Sequence, residues 1–345
     1  MQICSGSAII PVAVLDWIAI DSSFSQATRA ACSGTSAHAK TWRSFRNSAS
    51  IATRHIHHRL AGANAPLEPI VYVFSTRGTT SLPGEILSAR DIDTVEIVFQ
   101  LRETLQSILH FYKTVFNRQS LDNSGIGLIA SINYANDYCN AYWNGQQIIL
   151  GDGDGEAFGE FAQCDDVLAH EVQHGLTQFT IGLGYWDEAG ALNESISDAF
   201  ASVFCQWRRQ QPCTRAIWTI GEGLIGPELR RRGYTMLRSL GAPEAESALL
   251  RQPKHMRAYD KSGDPHINSG IPNHAFYLAA QALGGNTWDR IAPIWYSAIV
   301  SSRRSPNMSF AEFAKLTVHR AQLLFRATPS VAEIVENAWQ EVGVL

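Results

Sequence analysis

The stretch "NESISD", residues 193–198, most constrains what this chain can fold into. Five of its six side chains are polar, yet apolar residues follow it at helical spacing as far as Phe204. In such a helix Glu194 and Asp198 lie one turn apart on the same side. A carboxylate is seldom buried without a partner. This side of the helix therefore faces either water or a cation.

A cation site is indicated by a second stretch, "LAHEVQHGL". Asp166 is expected to be the N-cap of the helix that contains it. His170 and His174 are four residues apart, so they project from one face of that helix and can hold one zinc ion. Glu171 stands next to the first histidine, where it can take a proton from an attacking water.

Glu194 is the natural third ligand for this ion. Zinc in hydrolytic sites usually takes three protein ligands, and two histidines with a glutamate form such a set. Asn193 and Asp198 then become acceptors for the outer N–H groups of the histidines. A purely structural zinc site is the alternative, but such sites favour four ligands and often use cysteine.

The bulk composition excludes several classes of protein. The chain has 345 residues, of which 45% are hydrophobic and 17% charged, as in ordinary globular proteins. Its net charge of -4 argues against a general nucleic-acid binder, and Arg230–Arg232 is expected to be a solvated helix face. The six cysteines show no CxxC spacing, so the redox compartment stays open.

The longest apolar run, residues 8–20, is too short to span a membrane and contains Pro11 and Asp16. It has no basic segment before it, so no conventional secretory signal is expected.

The composition and the hydrophobic periodicity of the chain change along its length. Residues 1–62 are rich in Ser and Ala, and "RHIHHRLAGANAPLEP" reads as an exposed linker whose histidines are expected not to bind metal. The runs "IVYVF", "TVEIVFQ", "IGLIASINY" and "QQIIL" predict strands, with a helix at 104–116 among them. From Asp166 onward helical periodicity dominates, and helices are predicted at 166–180, 188–207, 272–284, 310–325 and 330–341.

Several motifs in order give the chain a family resemblance. "HEVQH" followed by "GALNESISDAF", with "NAYWNGQQIILGDGDG", "DPHINSGIPNHAFY" and "AWQEVGVL", is similar to the thermolysin-type zinc peptidases, the gluzincin branch. The short first segment most resembles the protealysin-like subgroup. The resemblance implies a two-lobed α+β fold with a sheet-rich N-terminal lobe, a helical C-terminal lobe and zinc in the cleft between them. The implied divisions are a prosegment at 1–62 and lobes at 63–182 and 183–345.

The resemblance also implies an activity, that of a zinc-dependent endopeptidase acting on peptides or proteins. It makes His170, His174 and Glu194 the zinc ligands and Glu171 the general base. Tyr185 and His266 are implied to stabilise the oxyanion. Loss of Glu171, Tyr185 or His266 would have indicated the rival class, a non-catalytic protein that kept the fold and the metal, but all three are present.

Further residues are implied to bind substrate. Asn140 and the backbone of Ala141 would align an extended peptide, and Arg238 would hold a substrate carbonyl. The pocket that would favour a bulky apolar residue just after the cleaved bond is lined by Val167, Ile220, Leu224 and Leu237. Ordinary core packing is the alternative role of these four aliphatic residues.

Two departures from the family pattern change what we expect. Lys261 stands where an aspartate usually precedes the catalytic histidine, so either Asp260 or Asp264 orients His266. At the acidic positions of the family's calcium cluster Asp166 and Glu222 remain, but the other two positions hold Cys205 and Thr219. Calcium needs oxygen ligands, so calcium binding is doubtful.

Residues 1–62 are expected to act as an inhibitor of the same chain. Their apolar start must be covered, and the substrate groove is the nearest apolar surface in this interpretation. The thiolate of Cys4 could bind the zinc, or Cys4 could be an unpaired thiol on a loose terminus. The resemblance implies secretion, whereas the missing signal leaves a cytoplasmic location or non-classical export open. Neither binding to nucleic acid nor a membrane-spanning segment is expected.

Overall fold

The computed structural model describes residues 8–45, 69–88, 90–91 and 95–345. The chain divides into two compact units. The first comprises Met1–Gly175 with Gly223–Gly233, and the second comprises Leu176–Glu222 with Tyr234–Leu345. Among the described residues, no helix has both the length and the apolar character to cross a membrane.

The first unit begins with a helical hairpin, formed by α1 (Val12–Ile20) and α2 (Gln26–Phe45). The Asp16 carboxylate on α1 accepts hydrogen bonds from Ser36 and from Lys40, at 2.8 Å for the latter, both on α2. Neither helix was predicted from the sequence; α2 is built largely from Ala, Ser and Thr and has no long apolar stripe. Small residues allow close packing of the two helices in place of such a stripe.

A five-stranded sheet follows. Its strands are β1 (Val71–Ser75), β2 (Glu85–Ile86), β3 (Leu128–Ile132), β4 (Ala141–Trp143) and β5 (Ile148–Leu150). They lie in the order β2-β1-β3-β5-β4, with β1 parallel to β3 and β3 parallel to β5. The edge strands β2 and β4 are short and antiparallel to their neighbours. The predicted strands at 70–74, 126–134 and 146–150 coincide with β1, β3 and β5.

One predicted strand is wrong. Most of "TVEIVFQ" belongs to helix α3 (Glu96–Phe116), which therefore begins eight residues before the predicted start at 104. Val98, Leu101 and Leu105 are buried at a spacing of three and four residues, so the period of the helix overrides the short alternating run.

Helix α4 (Asp165–Phe179) carries the "HEVQH" motif. It begins at Asp165, so the prediction that Asp166 is its N-cap is wrong. Asp166 lies in the first turn, where its carboxylate accepts from the Val167 N–H at 2.9 Å. The first N–H groups of a helix have no partner within it, and carboxylates there stabilise them.

The second unit is mainly helical. Its central helix α5 (Asp187–Arg209) is buried along most of its length, including the polar stretch 193–198. The short strand β6 (Thr219–Ile220) precedes helix α6 (Pro227–Arg231), which belongs to the first unit, and pairs with β7 (Arg238–Ser239). The remaining helices are α7 (Pro265–Asn268), α8 (Gly270–Leu283), α9 (Ile291–Ser301), α10 (Phe310–Leu324) and α11 (Ser330–Glu341).

The predicted helices of this unit agree with the structure to within about two residues, but α9 was not predicted. Its sequence "IAPIWYSAIVS" is apolar on several sides, and such a short run does not distinguish a buried helix from a strand. Trp295 on α9 stacks on Trp339 of α11 with ring centroids 6.0 Å apart. The expected α+β class, with a sheet-rich N-terminal part and a helical C-terminal part, is confirmed.

The basic run 230–232 is not simply a solvated face. The side chain of Arg232 is 17% exposed and binds Glu228 at 2.9 Å and Asp21 at 3.2 Å. Its guanidinium also donates to Ser23 at 2.9 Å and lies 3.5 Å from the ring centroid of Phe24. This arginine therefore holds the loop between α1 and α2 against the end of helix α6 within the first unit.

We expect Arg232→Ala to loosen the hairpin while Arg231→Ala does not. The first variant removes a stacked, multiply hydrogen-bonded cation, an interaction of roughly 1–2 kcal/mol, which corresponds to about tenfold faster amide hydrogen exchange. Arg231 is 69% exposed and binds only Glu228 among the ion pairs described, so it is the matched control. Exchange rates of the α1 and α2 amides measure the effect. Equal protection in both variants would contradict the anchoring role of Arg232.

Candidate active site

Helix α4 brings two imidazole rings together. Nε2 of His170 and Nε2 of His174 are 2.9 Å apart, and both residues are buried. Two neutral imidazoles that face each other through the same nitrogen can share one proton at most, whereas a cation can accept both lone pairs. The pair is therefore suited to a metal ion.

A carboxylate completes the group. The ligand atoms of His170, His174 and Glu194 all lie within 4.8 Å of one another, and all three residues are buried. Within the described part of the chain, this is the one group of three such residues that could hold a metal ion. Two nitrogens and one carboxylate oxygen form a donor set that fits zinc in a hydrolytic site.

Glu171 is fixed by the backbone of the neighbouring strand. Its side chain is buried, and Oε2 accepts a hydrogen bond of 2.7 Å from the backbone N–H of Trp143, the last residue of β4. This contact was not predicted from the sequence, because every residue except proline has a backbone N–H and the type of residue therefore does not reveal such a donor. The bond orients a carboxylate that lies next to a histidine of the cluster.

The edge strand β4 pairs with the chain's own first described residues. The N–H of Ile9 donates to the carbonyl of Ala141 at 3.0 Å, and Ala8 forms an antiparallel bridge with Tyr142. The side-chain amide of Asn140 both accepts from the N–H of Ile10 and donates to its carbonyl, each at 2.9 Å. The two residues expected to align a peptide thus hold an extended segment of the chain itself.

In the second unit, Tyr185 and His266 gather around Glu194. The hydroxyl of Tyr185 donates to Oε1 of Glu194 at 2.8 Å and lies 3.2 Å from Nε2 of His266. The same Nε2 is 3.4 Å from Oε2 of Glu194. A phenol and an imidazole therefore flank the carboxylate of Glu194, the residue that completes the group able to hold a metal ion.

Asp264, and not Asp260, contacts His266. Oδ1 of Asp264 is 2.5 Å from Nδ1 of the ring and also accepts from the backbone N–H of His266 at 2.9 Å, capping α7. Asp260 instead accepts from Ser262. Burial alone would lower the pKa of His266, but the nearby carboxylates of Glu194 and Asp264 outweigh it and raise the pKa.

Arg238 and Asp198 form a buried ion pair. The guanidinium donates from Nε at 2.8 Å and from Nη2 at 2.7 Å to the two oxygens of Asp198. The amide of Asn273 on α8 donates to the same carboxylate at 2.9 Å. Asn273 was not predicted, although an asparagine in the mostly apolar helix α8 is a signal that could have indicated it.

The four aliphatic residues expected to line a pocket are all fully buried: Val167, Ile220, Leu224 and Leu237. In the second unit the N–H of Leu237 donates to the carbonyl of Ile220 at 2.9 Å. Burial of this kind suits core packing as well as a pocket wall, so the pocket stays a prediction.

The expectation for calcium and the expectation for Cys4 and the prosegment cleavage also stay predictions. Of the positions considered for calcium, the hydroxyl of Thr219 donates to Glu222 at 2.6 Å, and Cys205 lies half-buried on α5. The prosegment is expected to be cut off at the junction formed by residues 50–69. Cys4 and most of this junction lie outside the described residues.

A buried His/His/Glu cluster beside an oriented carboxylate is the arrangement of a metallohydrolase. Two family models match the chain: "Thermolysin metallopeptidase, catalytic domain" at residues 99–178 and "Thermolysin metallopeptidase, alpha-helical domain" at 181–344. The chain is 40% identical over 278 residues to the "Extracellular metalloprotease" of Pectobacterium carotovorum subsp. carotovorum, covering 76% of this chain and 78% of that one.

Other relatives agree with this match. The chain is 30% identical to the thermolysin of Bacillus sp. (strain EA1) over 79% of its own length but spans only 51% of that relative. The solved precursor of protealysin, a metalloproteinase from Serratia proteamaculans, superposes with a TM-score of 0.83 at 34% identity, covering 99% of this chain and 100% of that one. The chain therefore belongs to the thermolysin family of metallopeptidases, which are hydrolases, and it is of the protealysin type.

We expect Asp264→Asn to lower kcat more than it raises KM. Asparagine can still cap α7, but it removes the negative charge that holds the His266 ring. Asp260→Asn is the matched control, since that carboxylate contacts Ser262 instead, and it should leave both constants near those of the unmodified enzyme. Steady-state kinetics on a peptide substrate distinguish the two. Equal losses in both variants would argue against a specific role for Asp264.

Proposed function

We propose that this chain is a zinc-dependent endopeptidase that its own N-terminal segment keeps latent. The observation that carries the catalytic part is the buried cluster of His170, His174 and Glu194 beside Glu171, whose carboxylate is held by the Trp143 N–H. His170, His174 and Glu194 would hold the zinc. When bound, zinc would act as a Lewis acid, polarising the substrate carbonyl and making water easier to deprotonate.

Glu171 acts as the general base in this proposal. It takes a proton from the attacking water and delivers it to the leaving amine. Its hydrogen bond from Trp143 fixes the direction of the carboxylate, so less reorganisation is needed when the proton moves. The Trp143 N–H lies on β4, which also aligns the peptide, so base and substrate would be positioned by one strand.

Tyr185 and His266 stabilise the negative charge that develops on the carbonyl oxygen. Their O–H and N–H groups lie on one side of Glu194, and fixed donors of this kind lower the barrier by about 3–4 kcal/mol each. Asp264 keeps the His266 ring oriented, and Glu194 together with Asp264 raises the pKa of the imidazole. Arg238, held by Asp198, would contact a substrate carbonyl, and Asn193 and Asp198 would accept from the outer N–H groups of the histidines.

Specificity would come from the aliphatic residues named above. If Val167, Ile220, Leu224 and Leu237 line the pocket after the cleaved bond, a bulky apolar side chain fills it best, because apolar area removed from water contributes about 25 cal/mol per Å². Charged side chains would be excluded there.

Latency would follow from the pairing of residues 8–10 with β4. A peptide substrate that adds to this strand needs the Ala141 carbonyl and the Asn140 amide, both of which already bond to Ile9 and Ile10. The segment and the substrate therefore compete for β4.

We assign 1–62 to a prosegment, 63–182 to the sheet-rich peptidase lobe and 183–345 to the helical lobe. Since a relative is named an extracellular metalloprotease, we propose that this enzyme also acts outside the cell.

We expect Glu171→Gln to keep zinc and lose turnover, by about a hundredfold to ten-thousandfold, because the amide cannot accept the proton. Glu194→Gln should instead weaken zinc binding, by roughly tenfold or more, since it removes a charged ligand. Zinc titration against a chelator and peptide hydrolysis, done on both variants after removal of residues 1–62, separate the two roles. Near-native turnover in zinc-loaded Glu171→Gln would refute the assignment of Glu171 as the general base.

The apolar preference is tested in the same assay with peptides that differ only at the residue just after the cleaved bond.

We expect the intact chain to be nearly inactive and Ile10→Asp to activate it without cleavage, by roughly tenfold or more. Ile10 is 1% exposed, so a carboxylate there is buried without a partner and its segment leaves β4. Ile20→Asp is the matched control, because Ile20 is 80% exposed and should leave the chain latent. Hydrolysis of a fluorogenic peptide by full-length protein measures both. An intact chain as active as the cleaved one would refute latency.

A further inference from the structure

One face of α2 docks against the segment that leads into β4. The hydroxyl of Thr35 accepts from the backbone N–H of Cys139 at 3.0 Å. One turn later, Nε2 of His38 bonds to the hydroxyl of Tyr134 at 2.8 Å, and its ring meets those of Tyr134 and Tyr138 edge-on. Burial lowers the pKa of His38, so the ring is neutral and can accept this bond.

Cys32 lies one turn before Thr35 on this face. Because the Thr35 hydroxyl binds the Cys139 backbone, Cys32 is directed at the same residue. Both cysteines are fully buried as free thiols. The Cys32 thiol is the main cause of the raised pKa of the Cys139 thiol, which agrees with the placement of the two residues side by side. Two neighbouring buried thiols on facing segments are suited to an S–S bond, whose length is about 2 Å.

We propose that Cys32 and Cys139 form a disulfide that ties the N-terminal hairpin to the segment that leads into β4. This inference deepens the proposed latency and rests on it for its consequence. With the bond closed, cleavage of the junction leaves the hairpin attached, and its effective concentration at β4 stays near millimolar, roughly as for other tethered ligands. Release then needs both cleavage and reduction.

The reaction balances with an organic disulfide, such as oxidised glutathione, as the oxidant. The thiolate of one cysteine attacks that disulfide, expelling one thiol and forming a mixed disulfide. The second cysteine then loses its proton and attacks the protein sulfur, expelling a second thiol. Two S–H bonds are lost, one protein S–S bond forms, and the organic disulfide is reduced to two thiols.

The timing follows from burial. The contact with Cys32 and desolvation raise the pKa of the Cys139 thiol, which disfavours its thiolate in the docked state. The bond therefore forms while the chain folds or when the hairpin opens, and reductant reaches it in the same opened state. An enzyme made under oxidising conditions would stay latent after cutting, until it met a reducing environment.

The first test maps the bond in the unmodified full-length chain. The chain is refolded with oxidised glutathione, its remaining thiols are blocked with N-ethylmaleimide, and it is digested without reduction. We expect a linked pair of peptides containing Cys32 and Cys139, and recovery of both cysteines in blocked form would overturn the proposal. This mapping needs neither peptidase activity nor a variant that folds.

The second test asks what the bond does. The oxidised chain is cut at the junction by an added protease, then assayed before and after a phosphine reductant. We expect roughly tenfold or greater activation only after reduction, whereas Cys32→Ser should be activated by cutting alone and Cys213→Ser should behave like the unmodified chain. Equal activity before and after reduction would overturn the tether. An uncut chain that is already active would refute latency instead, while a denaturing gel would still report the covalent link.

Discussion

The burial of two carboxylates in α5 is the constraint on which the second unit depends. Removing an ion from water costs several kcal/mol, so Glu194 and Asp198 must find cationic partners or polar donors. Arg238 supplies both oxygens of Asp198 with charged hydrogen bonds, and Asn273 adds another. Glu194 lies with the histidines of the cluster that can hold a metal. The polar stretch 193–198 is therefore buried in the fold, and its two carboxylates lie beside the basic side chains of Arg238 and His266.

A second constraint acts at the open edge of the sheet in the first unit. An edge strand presents backbone groups that need partners, and β4 meets this need with residues 8–10 on one side and with the Glu171 carboxylate at Trp143. The strand that would align a substrate is thus also the strand that orients the base. Whatever occupies this edge, substrate or prosegment, uses the same donors and acceptors, and this is why inhibition can be built into the same chain.

The sequence predicted some elements well and others poorly for physical reasons. Helices with a clear apolar stripe or a metal-binding spacing, such as α4, α5, α10 and α11, agree closely with their predicted ranges. The segment 94–100 was assigned to a strand because four or five residues cannot separate alternation from helical period, and the neighbouring turns of α3 decided it. Helices α1 and α2 were missed because their stability comes from docking, through contacts such as Arg232 with Phe24, and hardly from a stripe of their own.

By itself the sequence determined the chemistry of the cluster. His170 and His174 share a helix face in any fold that keeps α4 helical. The polar pattern around Glu194 allowed either water or a cation, and the histidine pair favoured a cation, so the cluster was predicted from spacing and charge. Only the tertiary structure decided which groups from distant segments meet. It selected Asp264 over Asp260 for His266, gave the Trp143 N–H to Glu171, and set Cys32 against Cys139. The contacts of Glu171 and Cys139 join residues far apart in sequence, and that of Glu171 uses a backbone atom. The choice of Asp264 depends on the turn that begins α7, where Asp264 caps the helix. None of these contacts leaves a periodic or compositional signal along the chain.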